Sequence, residues 1–187
     1  MGEHRILVDK LKLEYEGALV ANDVFRIITD FLQNRGYEML PASETEVHTP
    51  QGKGVDWYIA PWKKITDYVR LEMKVTVLMH NLVKKEVTIE GKKAKIDNGK
   101  VIVVIHGNIE YDYDRRWEDK PMFLFIRTIV NKYVFPTYTK KFEQLLIDDA
   151  NNVYGSLQDF FNMSRSRVLT HPPSTVRQPE HENGHGH

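Results

Sequence analysis

Residues 121–165 decide the fold, and they read PMFLFIRTIVNKYVFPTYTKKFEQLLIDDANNVYGSLQDFFNMSR. Apolar side chains recur every three or four positions through most of this stretch, which is the spacing of one face of an α-helix. Pro121 suits the first position of a helix, whereas Pro136 would remove an internal hydrogen bond and bend the helix. We therefore expect one long C-terminal helix kinked at Pro136, or two collinear helices hinged there, that covers an apolar surface elsewhere in the chain.

One carboxylate lies on the apolar face of this predicted helix. At about 100° per residue, Asp149 falls between Phe142 and Val153. A buried carboxylate is unfavourable unless it is paired or protonated. Asp149 is therefore either a structural acid, bonded to a tyrosine hydroxyl or to a basic side chain from the sheet, or a cavity acid that orients a ligand.

Alternating apolar and polar residues before this helix predict an antiparallel sheet. The alternation is clearest in residues 66–80 and recurs in residues 6–16 and 101–113, as in strands with one buried face. Residues 97–100, DNGK, have the composition of a tight hairpin turn. The sequence thus predicts an α+β fold, with a curved antiparallel sheet of six to seven strands packed on the long helix.

A short helix is predicted directly after the first strand. Apolar residues at helical spacing follow Asn22, which is a suitable N-cap, and Gly36 is a suitable terminator. This helix is amphipathic, so we expect it to lie on an apolar surface.

Composition restricts the class of protein. The chain has 187 residues, 26 Lys plus Arg against 26 Asp plus Glu, and no cysteine. We expect one domain over residues 1–165, without disulfides, cofactor or metal site. The balanced charge gives no overall field that favours nucleic acid. With no apolar run long enough to span a bilayer and no signal peptide, a cytoplasmic protein is expected. Residues 166–187, rich in proline and histidine, are predicted to be a disordered tail.

The order of elements resembles the helix-grip fold of the START and Bet v 1-like (SRPBCC) superfamily, in which a curved antiparallel sheet grips a C-terminal helix. The resemblance is topological and covers roughly residues 6–164. This chain has one predicted helix after the first strand, where that superfamily usually has two. Residues 61–68 (PWKKITDY), 116–121 (RWEDKP) and 138–143 (YTKKFE) are similar to segments of small archaeal proteins, a similarity that implies a lineage and no function.

Our leading hypothesis is non-catalytic binding of an apolar or amphipathic small molecule between the sheet and the long helix. Aromatic walls with one carboxylate suit such a ligand. The side chains expected to line this space are Tyr15, Met73, Tyr111, Tyr133, Phe142 and Asp149. The alternative is a solid core without a cavity.

With a solid core, the protein would be an interaction module for a protein or a ribonucleoprotein. Two surfaces are candidates. One is a basic and aromatic surface of Trp62, Lys63, Lys64, Arg115 and Arg116. The other is an outward apolar patch of Leu78, Ile102 and Val104. A third hypothesis, an enzyme of cyclase or hydrolase type that uses Asp149 as acid or base, has no second catalytic group at a recognisable spacing, so we assign no catalytic residue.

Overall fold

The computed structural model describes residues 3–67, 69–89, 92–111 and 135–170. They form, in order, β1 (Glu3–Leu19), α1 (Ala21–Asn34), β2 (Ser43–Thr49), β3 (Gly52–Ile59), β4 (Trp62–Lys64), β5 (Val69–Ile89), β6 (Lys92–Tyr111) and α2 (Phe135–Thr170). The α+β class is confirmed, with one helix after the first strand and one at the C-terminal end of the described chain.

The six described strands form one curved antiparallel sheet. Its order is β1-β6-β5-β3-β2, and β4 pairs with β5 beside β3. The first strand therefore lies next to the last one. The strand β2, which is exposed along its whole length, forms the opposite edge.

The period-two pattern of the two central strands determines which face of the sheet is buried. Alternate residues from Val69 to Met79 in β5 are buried, and so are Val101, Val103, Ile105 and Ile109 in β6. The intervening side chains lie on the outer face. There Leu78 pairs directly with Ile102, and Thr76 pairs with Val104, so the predicted outward patch does bring its three apolar residues together.

The predicted hairpin turn at residues 97–100 is wrong. These residues lie inside β6 and pair with β1 on one side and β5 on the other. Opposite them, β5 has an irregularity between His80 and Val83, where Asn81 has a φ of 55°. A Cβ atom at Gly99 would lie 2.7 Å from the backbone oxygen of His80. Glycine is therefore required here for the close approach of two strands, and not for a turn.

The N-terminus of α1 also differs from the prediction. Val20 is the N-cap residue and makes no side-chain capping bond, so the capping role expected of Asn22 is wrong. Instead, the Ala21 backbone N–H donates to Asp97 Oδ2 at 3.3 Å. A carboxylate from β6 satisfies one of the free N–H groups of this helix end, which no local pattern could indicate.

The helix α2 packs against β1, β5 and β6 and contacts α1. Its buried residues include Leu146, Ala150, Val153 and Leu157, which follow one face at helical spacing. The predicted helical segment 121–134, and with it the chain before the expected kink at Pro136, lies outside the described residues, as do residues 171–187. No helix within the described part of the chain is both long enough and apolar enough to cross a membrane.

Candidate functional site

Asp149 is fully buried and is bonded to the end of α1. The Tyr37 hydroxyl donates to Asp149 Oδ2 at 3.2 Å. Arg35 Nε lies 3.3 Å from Asp149 Oδ1. This is an ion-pair distance, but the N–H is not aligned with the oxygen, and Oδ1 accepts no hydrogen bond from the described residues. These are the contacts of a structural acid bonded to a tyrosine hydroxyl, which is one of the alternatives given above, whereas the basic partner Arg35 follows α1 and does not come from the sheet.

The turn that ends α1 brings Tyr37 to this position. Gly36 has a φ of +78°, a left-handed conformation that glycine adopts without strain. The Gly36 N–H donates to the Gln33 carbonyl, and the Tyr37 N–H donates to the Leu32 carbonyl. This pair of bonds is the Schellman motif, which turns the residue after the glycine back against the helix. The predicted terminator therefore also directs Tyr37 into the core.

Lys63 binds the same helix end from β4. It pairs with Leu71, whose side chain is buried, so the alternation of the strand directs Lys63 toward the helices. Its Nζ donates to the Arg35 carbonyl at 2.6 Å and lies 5.6 Å from the centre of the Tyr37 ring. The last turn of α1 contains no basic residue. Lys63 thus supplies the cation that the negative end of the helix dipole favours.

The other two residues of β4 point to the outer face of the sheet. The guanidinium of Arg70 lies 5.6 Å from the centre of the Trp62 ring, a cation–π geometry. Lys64 forms an ion pair with Asp67 at 2.6 Å. Backbone hydrogen bonds between Trp62 and Glu38 tie β4 to the segment after α1.

The electrostatic environment at the C-terminal end of α1 favours the neutral form of the Tyr37 hydroxyl. Burial raises the pKa of the Tyr37 hydroxyl, and the adjacent Asp149 carboxylate raises it further, whereas Arg35 acts in the opposite direction. Tyr37 is therefore a hydrogen-bond donor to Asp149 at neutral pH and does not serve as a base.

A polar cleft opens beside these residues, between the C-terminal end of α1 and the middle of α2. Its volume is about 290 Å³. It is lined by Arg35, Leu145, Asp148, Asp149, Asn151 and Asn152. Two carboxylates face one guanidinium in this lining, so its charge is net negative. Gln144 also donates to Asp148 Oδ1 at 2.7 Å, which fixes that carboxylate at the rim.

The residues predicted to line a ligand cavity belong to the apolar core. Tyr15, Met73 and Tyr111 are buried, and Phe142 packs against the same cluster with part of its surface exposed. The Tyr15 ring stacks on Phe161 at 4.6 Å, and its hydroxyl donates to the Ala18 carbonyl at 2.8 Å. Tyr133, Arg115 and Arg116 lie outside the described residues.

Two groups of predicted site residues that are distant in the sequence lie together in the structure. Asp149 and the Trp62–Lys64 segment meet through Arg35 and Tyr37, which sequence reasoning did not select. A signal for Tyr37 was present, since the residue after a helix-terminating glycine commonly packs back on the helix. For Arg35 there was none beyond its place at the C-cap of α1.

Comparison of the chain with protein-family models, curated proteins and solved structures found no match. Among the described residues, no group of three or more histidine, aspartate or glutamate side chains is placed to hold a metal ion.

Proposed function

We propose that this protein is a non-catalytic interaction module that binds a partner protein at the corner formed by the end of α1, β4 and the middle of α2. One observation carries the proposal. Tyr37 after α1, Lys63 of β4 and Asp149 of α2 form one polar cluster beside an open cleft: Tyr37 donates to Asp149, and Lys63 donates to the Arg35 carbonyl and lies over the Tyr37 ring. Such a cluster keeps its shape before binding, which reduces the entropy lost when a partner docks.

The chemistry of the cleft favours a cationic side chain from that partner. Asp148, Asn151 and Asn152 are exposed at its rim and provide carboxylate and amide oxygens as acceptors. Asp149 has no exposed surface, so it contributes negative charge rather than contact. A guanidinium, with donors in a planar fork, matches several oxygens at once. The partner is therefore expected to present an arginine.

The test uses a minimal probe of this chemistry. Nα-acetyl-arginine amide is titrated into the ¹⁵N-labelled protein, with Nα-acetyl-citrulline amide as the uncharged isostere. We expect saturable shifts of the amides around Asn152 with the arginine probe and weaker shifts with citrulline. The Asn152→Trp variant should lose these shifts because it fills the cleft. Asn162→Trp, an exposed position on the same helix, should keep them.

Three results would contradict this site. One is an equal response to both probes, and another is shifts spread over the whole protein. The third is an arginine response that survives in Asn152→Trp. Loss of the response in both tryptophan variants would show that the substitution acts through the helix and not through the cleft.

The binding of an apolar ligand between the sheet and α2 is our second candidate. It is supported by the arrangement of Met73, Tyr111 and Phe142, which come from three elements and belong to one apolar cluster, with Phe142 only partly buried. An environment-sensitive apolar dye should then bind with an increase in fluorescence that Phe142→Arg reduces strongly. Equal dye fluorescence with Phe142→Arg and with Lys141→Arg, a neighbouring exposed position, would remove this candidate.

We also propose that the fold is of the helix-grip type. The pairing of β1 with β6 and the C-terminal helix packed on the sheet support this relationship. An enzymatic use of Asp149 is the weakest proposal, because its carboxylate is buried and its hydroxyl partner Tyr37 is a poor base.

A further inference from the structure

Beyond the main sheet, β5 and β6 continue as a two-stranded arm, formed by residues 84–89 and 92–96. The strands remain in register from Lys84–Asp97 to Ile89–Lys92. In the described part of the chain, β1 pairs with β6 only as far as Asp97, and β3 pairs with β5 only as far as Leu82. The arm therefore has no neighbouring strand there.

The arm carries a local excess of positive charge in a chain that is neutral overall. Residues 84–97 contain five lysines and three acidic residues, and the acidic Asp97 lies opposite Lys84 across the strands. Lys84, Lys85 and Lys95 are exposed. Glu86 is also exposed and lies opposite Lys95 across the strands. We expected no binding of nucleic acid because the total charge of the chain is balanced. That total does not reveal the local excess of lysine in the arm.

We propose that this arm binds the phosphate backbone of double-stranded DNA without reading its sequence. The six paired positions are separated by five intervals of about 3.4 Å each, which gives a ribbon of roughly 17 Å. The major groove of B-form DNA, about 12 Å wide, admits a two-stranded β-ribbon. The duplex also carries one negative charge per ~1.7 Å of its axis, and lysines that neutralise phosphates release condensed counterions. The length, width and charge of the arm therefore match double-stranded DNA.

The charge of the arm separates this surface from the corner at α1 and α2. That cleft has a net negative lining and is expected to take a cation, whereas the arm is expected to take a polyanion. The two surfaces are therefore independent, and failure of either proposal leaves the other unchanged.

The experiment measures fluorescence anisotropy of a labelled 20-base-pair DNA duplex of arbitrary sequence, titrated with the full chain at several salt concentrations. The variant Lys85→Glu/Lys95→Glu changes two exposed lysines of the arm. The control Lys140→Glu/Lys141→Glu changes two exposed lysines of α2 and alters the net charge equally. Circular dichroism and thermal melts establish that each variant is folded, and Lys85→Gln/Lys95→Gln serves if charge reversal disturbs the arm.

The arm variant should bind about 30-fold more weakly at 0.15 M salt and should lower the salt slope by about 1.8, since each phosphate contact contributes about 0.9 to that slope. The control variant should bind within about threefold of the wild type. Equal weakening in both variants, the absence of duplex binding at low salt, or binding to phosphatidylserine vesicles in preference to the duplex would overturn the proposal.

Discussion

Replacing Tyr37 with phenylalanine removes the hydroxyl that holds Asp149 and leaves the ring in place. The lost hydrogen bond has a buried carboxylate as its acceptor, at 3.2 Å. Hydrogen bonds to charged groups contribute about 1.5–3 kcal/mol. Because 3.2 Å is longer than the usual ~2.7–2.8 Å for an O–H···O bond, we expect the lower end. Tyr37→Phe should therefore reduce the free energy of unfolding by about 1.5 kcal/mol, or lower Tm by roughly 3–6 °C.

A double-mutant cycle identifies the partner. In an Asp149→Ala background the Tyr37 hydroxyl is buried without its acceptor, so its removal should have no cost or a small benefit. The coupling between the two positions should therefore be about 1.5 kcal/mol. Tyr15→Phe is the matched control, because its buried hydroxyl donates to the Ala18 backbone carbonyl. It should cost about 1 kcal/mol in either background.

Equilibrium unfolding in urea gives all of these values, with the m-value checked for each variant. A coupling below about 0.3 kcal/mol would refute the argument that Asp149 depends on Tyr37. Equal coupling for Tyr15→Phe would show that Asp149→Ala disturbs the core as a whole.

Three further predictions concern the core and the pH dependence of stability. Gly99→Ala should destabilise the protein by more than about 2 kcal/mol, since its Cβ atom would lie 2.7 Å from a backbone oxygen. Gly155→Ala, where a Cβ atom would have no neighbour within 4 Å, should stabilise α2 by about 0.5–1 kcal/mol. Thermal melts that rank the two variants in the opposite order would contradict the strand register. Leu146→Ala, at a fully buried position, should cost about 2–5 kcal/mol in urea unfolding, against less than about 0.5 kcal/mol for Met163→Ala, which is 54% exposed. Because the pKa of Tyr37 is raised in the folded state, the protonated hydroxyl contributes fully to the free energy of unfolding below the unfolded-state pKa of about 10. This contribution is lost as the pH rises further. The wild type should then lose stability above about pH 10 more steeply than Tyr37→Phe, and parallel curves would contradict the raised pKa.

Local patterns predicted the parts of the fold that depend on which face of an element is buried. Alternating apolar residues show which face of β5 and β6 is buried, and apolar residues at helical spacing show the same for α2. Residues 97–100 show the limit of this reasoning. Asp97 and Gly99 have the composition of a turn, but one caps α1 and the other permits close contact with β5. Turn-forming residues are also those that fit tight backbone approaches and helix caps, so composition alone cannot separate these roles.

The candidate site, like the fold, could be predicted from the sequence only in part. From the sequence alone, Asp149 could be placed on the buried face of α2, because one helical period fixes its direction relative to its neighbours. The identity of its partner depended on tertiary structure, since Tyr37 lies 112 positions away. Periodicity encodes the orientation of a side chain relative to its own element. Which remote segment meets that side chain is decided by the packing of α1, β4 and α2 together, and it is this packing that joined an isolated acid and a basic strand into one corner.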